Sequence, residues 1–198
     1  MKRTLCIALC LVLALALSLG ALAVHDGVSV SRGLIRLHVV ARDGSEEALS
    51  DKLAVRDALL ERMGDADYAS AMDARRALSD RLPELQALAD ETLRARGCAD
   101  PVAVTLGKRF LPEKSYDGFA LPAGRYETLY VAIGAAEGSN WWCVLFPPLC
   151  LVPASAVEDT ARAGGVSPGA FRLMTGKGGE VRFRFKLLEI FANLFKKG

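Results

Sequence analysis

Two hydrophobic periods alternate along the chain. From Leu34 to Ala41, LIRLHVVA sets Ile35, Leu37 and Val39 on one side and Arg36 and His38 on the other, which predicts a strand. RDGS, Arg42 to Ser45, predicts a turn whose Ser45 is placed to cap a helix. From about Glu46 to Arg62 the period lengthens. Leu49, Leu53, Ala54 and Leu60, with Val55, Ala58 and Leu59, predict a helix with a broad apolar face, ended by Gly64. A second helical region starts near Ser70. Pro83 does not fit a helix interior but suits a first turn, so the region divides into 70–81 and 83–96. Leu85, Leu88, Ala89 and Leu93 line the later helix, and Gly97 caps it.

Strand patterning then resumes. PVAVTLGKRF alternates around Val102, Val104 and Leu106; LPAG, Leu121 to Gly124, reads as a turn; RYETLYVAIG, Arg125 to Gly134, is a second strand. AAEGSN reads as a hairpin-type connection into NWWCVLF, which Pro147-Pro148 must end because neither proline can donate to a ladder. Gly, Ser, Ala and Lys dominate from Ala161, so 158–179 is expected to be a flexible tether. In 180–198, Val181, Phe183 and Phe185 alternate with basic residues, and Leu187, Ile190, Phe191 and Leu194 follow helical spacing. That tail is either a strand and helix packed on the core or an amphipathic element for a membrane surface or a partner.

The N-terminus changes the picture of localisation. Lys2 and Arg3 precede an uncharged run from Leu5 to Val24, which closes on Ala21-Leu22-Ala23. This is the pattern of a secretory signal, with Ala21 and Ala23 as the candidate cleavage positions. At about 20 residues the run is also long enough for an uncleaved anchor. Residues 24–33 read as a linker. Removing 1–23 takes away Lys2 and Arg3, so Lys+Arg falls from 25 to 23 and balances the 23 Asp+Glu. No global basic field favours nucleic acid. Outside the apolar run lie Cys98, Cys143 and Cys150, an odd number in a setting where disulfides persist.

Catalytic chemistry is poorly supplied. No G-x-S-x-G, H-E-x-x-H or P-loop occurs, no metal-ligand spacing is visible and no cofactor motif is present. The one thiol option is a Cys143–His38 pair, with bulky apolar neighbours that would raise the thiol pKa. It supports an extracytoplasmic, cell-wall-associated enzyme as an alternative; the basic aromatic tail supports a membrane-peripheral structural protein as another.

The densest block is SNWWCVLFPPLC, Ser139 to Cys150. In a strand, Trp141 and Trp142 point to opposite faces, so one fills the core and the other meets a second layer, a partner or solvent. Phe-Pro-Pro-Leu can turn the chain back and bring Cys143 and Cys150 within bridging reach, which makes them the candidate disulfide; two buried free thiols, or pairing through Cys98, are the alternatives.

NWWCVLFPPLC resembles the hallmark of stage II sporulation protein R, a family of secreted signalling proteins of endospore-forming Firmicutes. IRLHVVARDGSEEALSDKLAVRDALL resembles its N-terminal block, with a Lys-x-x-Val-Arg-Asp motif at Lys52, Val55, Arg56 and Asp57. RFLPEKSYDGFALPAGRYETLYVAIG resembles its middle block at Tyr116, Gly118, Pro122, Ala123, Gly124 and Tyr126, and FRFKLLEIF resembles its C-termini. Where this chain has Arg42-Asp43 the family pattern expects Asn-Ser. The resemblance implies export from the forespore into the space between forespore and mother-cell membranes. There such proteins trigger a membrane-embedded aspartic protease of the mother cell, which processes the pro-form of the early mother-cell sporulation sigma factor.

The expected fold is α+β: an N-terminal strand, two to three helices, then antiparallel strands ending in the aromatic Cys/Pro loop, with a C-terminal strand/helix tail. The signalling domain spans 34–157. If Leu34–Ala41 joins the later strands, one mixed sheet is covered by helices on one face. The candidate partner contacts are His38, Arg56, Tyr116, Tyr126, Asn140, Trp141, Trp142 and Phe146.

Overall fold

In the computed structural model the described residues are 30–64 and 68–176, with Leu11, Ala14 and Ser18. Apart from those three residues the apolar run, with Ala21 and Ala23, lies outside them, as do most of the linker and the 180–198 tail. Among the described residues no helix is long and apolar enough to cross a membrane.

The fold is α+β. Strand β1 (Ile35–Val40) leads into three helices, α1 (Glu46–Met63), α2 (Ala71–Asp80) and α3 (Leu82–Ala95). Strands β2 (Val102–Leu111), β3 (Lys114–Tyr116), β4 (Phe119–Leu121), β5 (Gly124–Ile133) and β6 (Asn140–Phe146) follow, then helices α4 (Val157–Ala163) and α5 (Pro168–Thr175). The helix signals read from the sequence operate. Ser45 accepts from the Ala48 amide at 3.2 Å, Ser70 caps α2, and Pro83 sits in the first turn of α3. Gly97 adopts φ +76°, a left-handed conformation that L side chains resist.

The main sheet has the order β2-β5-β1-β6. β1 runs parallel to β5, with Leu37 opposite Leu129, and antiparallel to β6, with Leu37 opposite Cys143. The sheet is therefore mixed, and β5–β6 is not a hairpin: β1 is inserted between them. AAEGSN is still a tight connection, because it folds against the 41–43 turn. The amide of Gly138 donates to the Ala41 carbonyl at 2.9 Å, and a side chain at Gly138 would run into the Asp43 backbone. The β3–β4 hairpin, turning through Gly118, was not expected; its three-residue strands are too short to show a period.

Helices α1, α2 and α3 cover one face of the sheet. The core there joins Ile35, Leu37 and Val39, Leu129, Val131 and Ile133, and Val102 and Val104 to Val55, Leu59, Leu78, Leu85, Ala89 and Leu93. Burying each such Leu, Ile or Val contributes about 1.5–3 kcal/mol. The apolar face read for α1 is displaced: Leu49 is exposed, while Asp51 and Lys52 are buried. Both polar residues have partners that a helical wheel does not reveal, Arg96 at 2.7 Å for Asp51 and Ser139 for Lys52.

The part of the expected flexible tether that is described, 158–176, folds instead, and 177–179 lie outside the described residues. Val157, Ala161, Val166, Ala170, Leu173 and Met174 form a second core with Leu34, Leu111, Phe119, Leu121, Tyr126, Val144 and Leu149. Its small residues are packing residues, and Gly164 lies so close to Pro147 that a Cβ would clash with the ring. This layer covers part of the sheet face opposite to α1–α3. Side chains take up part of each sheet edge. On β2, Gln86 donates to the Val102 carbonyl and accepts from the Val104 amide, both at 2.8 Å. On β6, the Val144 amide donates to Cys150 Sγ at 3.0 Å.

Candidate functional site

Strand alternation sends Trp141 and Trp142 to opposite faces. Trp141, opposite Val39, packs against the helix-covered core, and the Arg56 guanidinium lies 5.0 Å above its ring. Arg56 is held there by Asp57 at 2.7 Å. The Lys-x-x-Val-Arg-Asp motif thus fastens α1 to the start of β6. Lys52 Nζ donates to Ser139 Oγ at 2.7 Å and to its carbonyl at 3.2 Å, and Val55 fills the core beneath. Burial, then the nearby Arg56 charge, lowers the Lys52 pKa.

Trp142 lies on the other face, beyond the layer formed by α4 and α5. It pairs across the strands with His38, which pairs with Tyr130, which pairs with Thr105, a row crossing all four strands. The rings follow that row. His38 and Trp142 are 5.4 Å apart between centroids, and His38 and Tyr130 are 5.1 Å apart in an edge-on arrangement. A cation closes each end: Arg109 stands 3.8 Å over Tyr130 and Lys114 5.4 Å over Trp142. Neither cation forms an ion pair with any described carboxylate. Asn140 completes the row, its Oδ1 2.6 Å from His38 Nε2, which places the imidazole proton on Nε2. Burial is the largest cause of a lowered His38 pKa; Arg36 and Arg109 add to it, and the Asn140 bond opposes it. The imidazole is therefore neutral at pH 7. The indole Nε1 of Trp142 is buried without a partner.

The candidate contacts thus divide. His38, Asn140 and Trp142 come together on the open face. Trp141 and Arg56 meet on the helix side. Phe146 is buried in the main core and packs edge-on to Tyr68. Tyr126 is buried in the second core, where its hydroxyl donates to the Pro122 carbonyl at 2.7 Å, and Tyr116 Oη accepts from Arg36 Nη2 at 2.8 Å. Tyr130, Arg109 and Lys114 were missed. The register opposite His38 identifies Tyr130, and only once β1 is known to lie beside β5.

Cys143 and Cys150 are free thiols here, set against each other; Cys98 is also free and buried near Asp100 and Arg42. Cys143 belongs to the helix-side core and His38 to the open face, so the sheet separates the members of the suggested nucleophile pair. Among the described residues no group of three His, Cys, Asp or Glu is placed to hold a metal ion. The Arg42-Asp43 turn is a charged knot: Arg42 pairs with Asp100 at 2.8 Å, Glu47 at 2.9 Å and Asp43 at 3.3 Å.

The blocks that build this face run from the start of β1 to the loop after β6. The profile of the stage II sporulation protein R family matches residues 31–156, over half of the chain. The chain belongs to the stage II sporulation protein R family. Stage II sporulation protein R of Bacillus subtilis strain 168 is 34% identical over 168 residues, covering 80% of this chain and 75% of that protein. No solved structure matches the chain. Membership of the stage II sporulation protein R family gives the chain a role in sporulation. The family match ends just before α4, so it takes in the whole open face and neither helix of the layer beside it.

Proposed function

We propose that the chain is an exported signal that activates a membrane-embedded aspartic protease of the mother cell, which then processes the pro-form of the early mother-cell sporulation sigma factor. The observation that carries this reading is the open row Tyr130–His38–Trp142 with Arg109 and Lys114 at its ends. It is built on the family's Trp-Trp-Cys block. Aromatic and Arg side chains on a rigid sheet face suit a protein contact, because they supply large area at low entropic cost. Family membership and the charged, then apolar, N-terminus support export.

The mechanism is a population shift. A signal activates only by binding the working arrangement of the protease more tightly than the resting one. Moving a resting population of 1:99 to 99:1 takes a preference of about 10⁴-fold. The test is reconstitution in a non-sporulating host with the protease and the pro-sigma factor, scoring the processed band on a gel. Processing is expected with the exported chain and absent with a version lacking residues 1–23, which stays inside the cell. Equal processing by the two versions would overturn the reading.

A further inference from the structure

Arg36 is fully buried, and its charge has no carboxylate partner among the described residues. Nη2 donates to Tyr116 Oη at 2.8 Å, and the guanidinium stands 5.0 Å from the Tyr126 ring centre, but Nε and Nη1 have no partner. A buried, uncompensated cation is costly, so a group able to carry the opposite charge is expected beside it. Among the described residues the ionisable groups within its field are His38, Tyr116, Tyr126, Cys143 and Cys150, and the neutral His38 offers no opposite charge. Burial pushes Tyr116 up to about 12 and raises Tyr126 as well, so both stay neutral. Cys143 is raised, first by its hydrogen bond to Cys150 and then by burial. Of these thiols and phenols Cys150 alone is lowered, first by that same bond, with burial opposing it and the Val144 amide and Arg36 adding to it. Its sulfur accepts the Val144 N–H at 3.0 Å and faces the Cys143 thiol. It is half-buried, in the loop after Pro147-Pro148, whereas Cys143 is 0% exposed.

We propose that Cys143 and Cys150 form a thiol–disulfide exchange site, in which Cys150 is the attacking sulfur, Arg36 its counter-charge and a small external disulfide the oxidant. The Cys150 thiolate attacks one sulfur of the external disulfide. That S–S bond breaks, a mixed disulfide forms at Cys150, and one small thiolate leaves. Cys143 gives up its proton to the departing thiolate and attacks Cys150 Sγ, expelling the second small thiolate. The two cysteines lose two electrons, and the external disulfide is reduced to two small thiols. The order follows from access: the reachable sulfur reacts first and the buried one resolves it. This site is independent of the signalling reading.

The test uses the full-length chain in glutathione redox buffers, read by mass spectrometry of the peptide holding both cysteines. A loss of two hydrogen masses is expected as the oxidised fraction rises. With Cys143→Ser a glutathione adduct should accumulate on Cys150; with Cys150→Ser, Cys143 should stay unmodified over the same period. Arg36→Met should slow Cys150 labelling at pH 7 about tenfold, the change in thiolate population for one pKa unit, and Arg36→Lys should restore it. The proposal is overturned by equal labelling of the two serine variants, or by a folded chain that never loses the two hydrogens. If the Arg36 variants do not fold, the pair of serine variants still decides.

Discussion

Trp141 and Trp142 share a peptide bond and have different tasks. Trp141 is seated against the helices, pinned under Arg56, within the network by which Lys52 grips Ser139. Trp142 ends a row of rings on the face that α1–α3 leave uncovered, with Lys114 above it. On the proposed reading the two faces of one strand separate stability from contact, so a substitution on the helix side is expected to act through folding and one on the open side through binding.

The comparison predicts a graded series. Leu37→Ala, on the helix side, should cost about 3 kcal/mol and lower Tm by about 10 °C, seen in a thermal melt followed by circular dichroism. A loss under about 1 kcal/mol would show that the helix-side core is not the principal support. Trp141→Ala should cost about 2 kcal/mol, since the ring is only partly buried and Arg56 loses its seat. Lys52→Met removes the grip on Ser139 while keeping most of the buried stem. It should cost about 1 kcal/mol in a urea titration and leave the m-value unchanged. Arg109→Glu with Lys114→Glu should change Tm by less than about 2 °C, yet lower affinity for any partner of the open face, with a reduced salt dependence of binding.

The smallest effect is on pH. The folded state holds the His38 pKa below its ordinary value. Its contribution is therefore present above about pH 6.5 and is lost as the pH falls from there through the lowered value. His38→Gln should flatten the fall in Tm between pH 7.5 and pH 5. An unchanged slope would mean that the imidazole is not held neutral by the fold.

Much of this architecture was legible because it is local. Alternation gave β1, β2 and β5, the flanking turn and Pro147-Pro148 bounded β6, and Ser45, Pro83 and Gly97 marked helix ends that the structure keeps. What escaped depends on distant partners. The insertion of β1 between β5 and β6 leaves no trace in either strand, and with it went Tyr130, which meets His38 only through that pairing. The burial of Asp51 and Lys52 answers Arg96 and Ser139, each more than forty residues away. The 158–179 segment looked like a tether because its glycines and alanines read as slack. In the fold Gly164 lets the end of α4 approach Pro147, and Ala161 and Ala170 are buried in the second core. Of the site, the Trp-Trp-Cys block was visible as a cluster, but its division between two faces needed the register with β1.

The most direct test is to export Trp142→Ala beside the unsubstituted chain in the reconstituted host, at matched levels and with Tm measured for both. The account predicts pro-sigma processing reduced at least about tenfold, the loss of roughly 1.4 kcal/mol of contact, with Tm within about 3 °C of the unsubstituted chain. Full processing by a folded Trp142→Ala chain would contradict it and move the contact surface away from the open face.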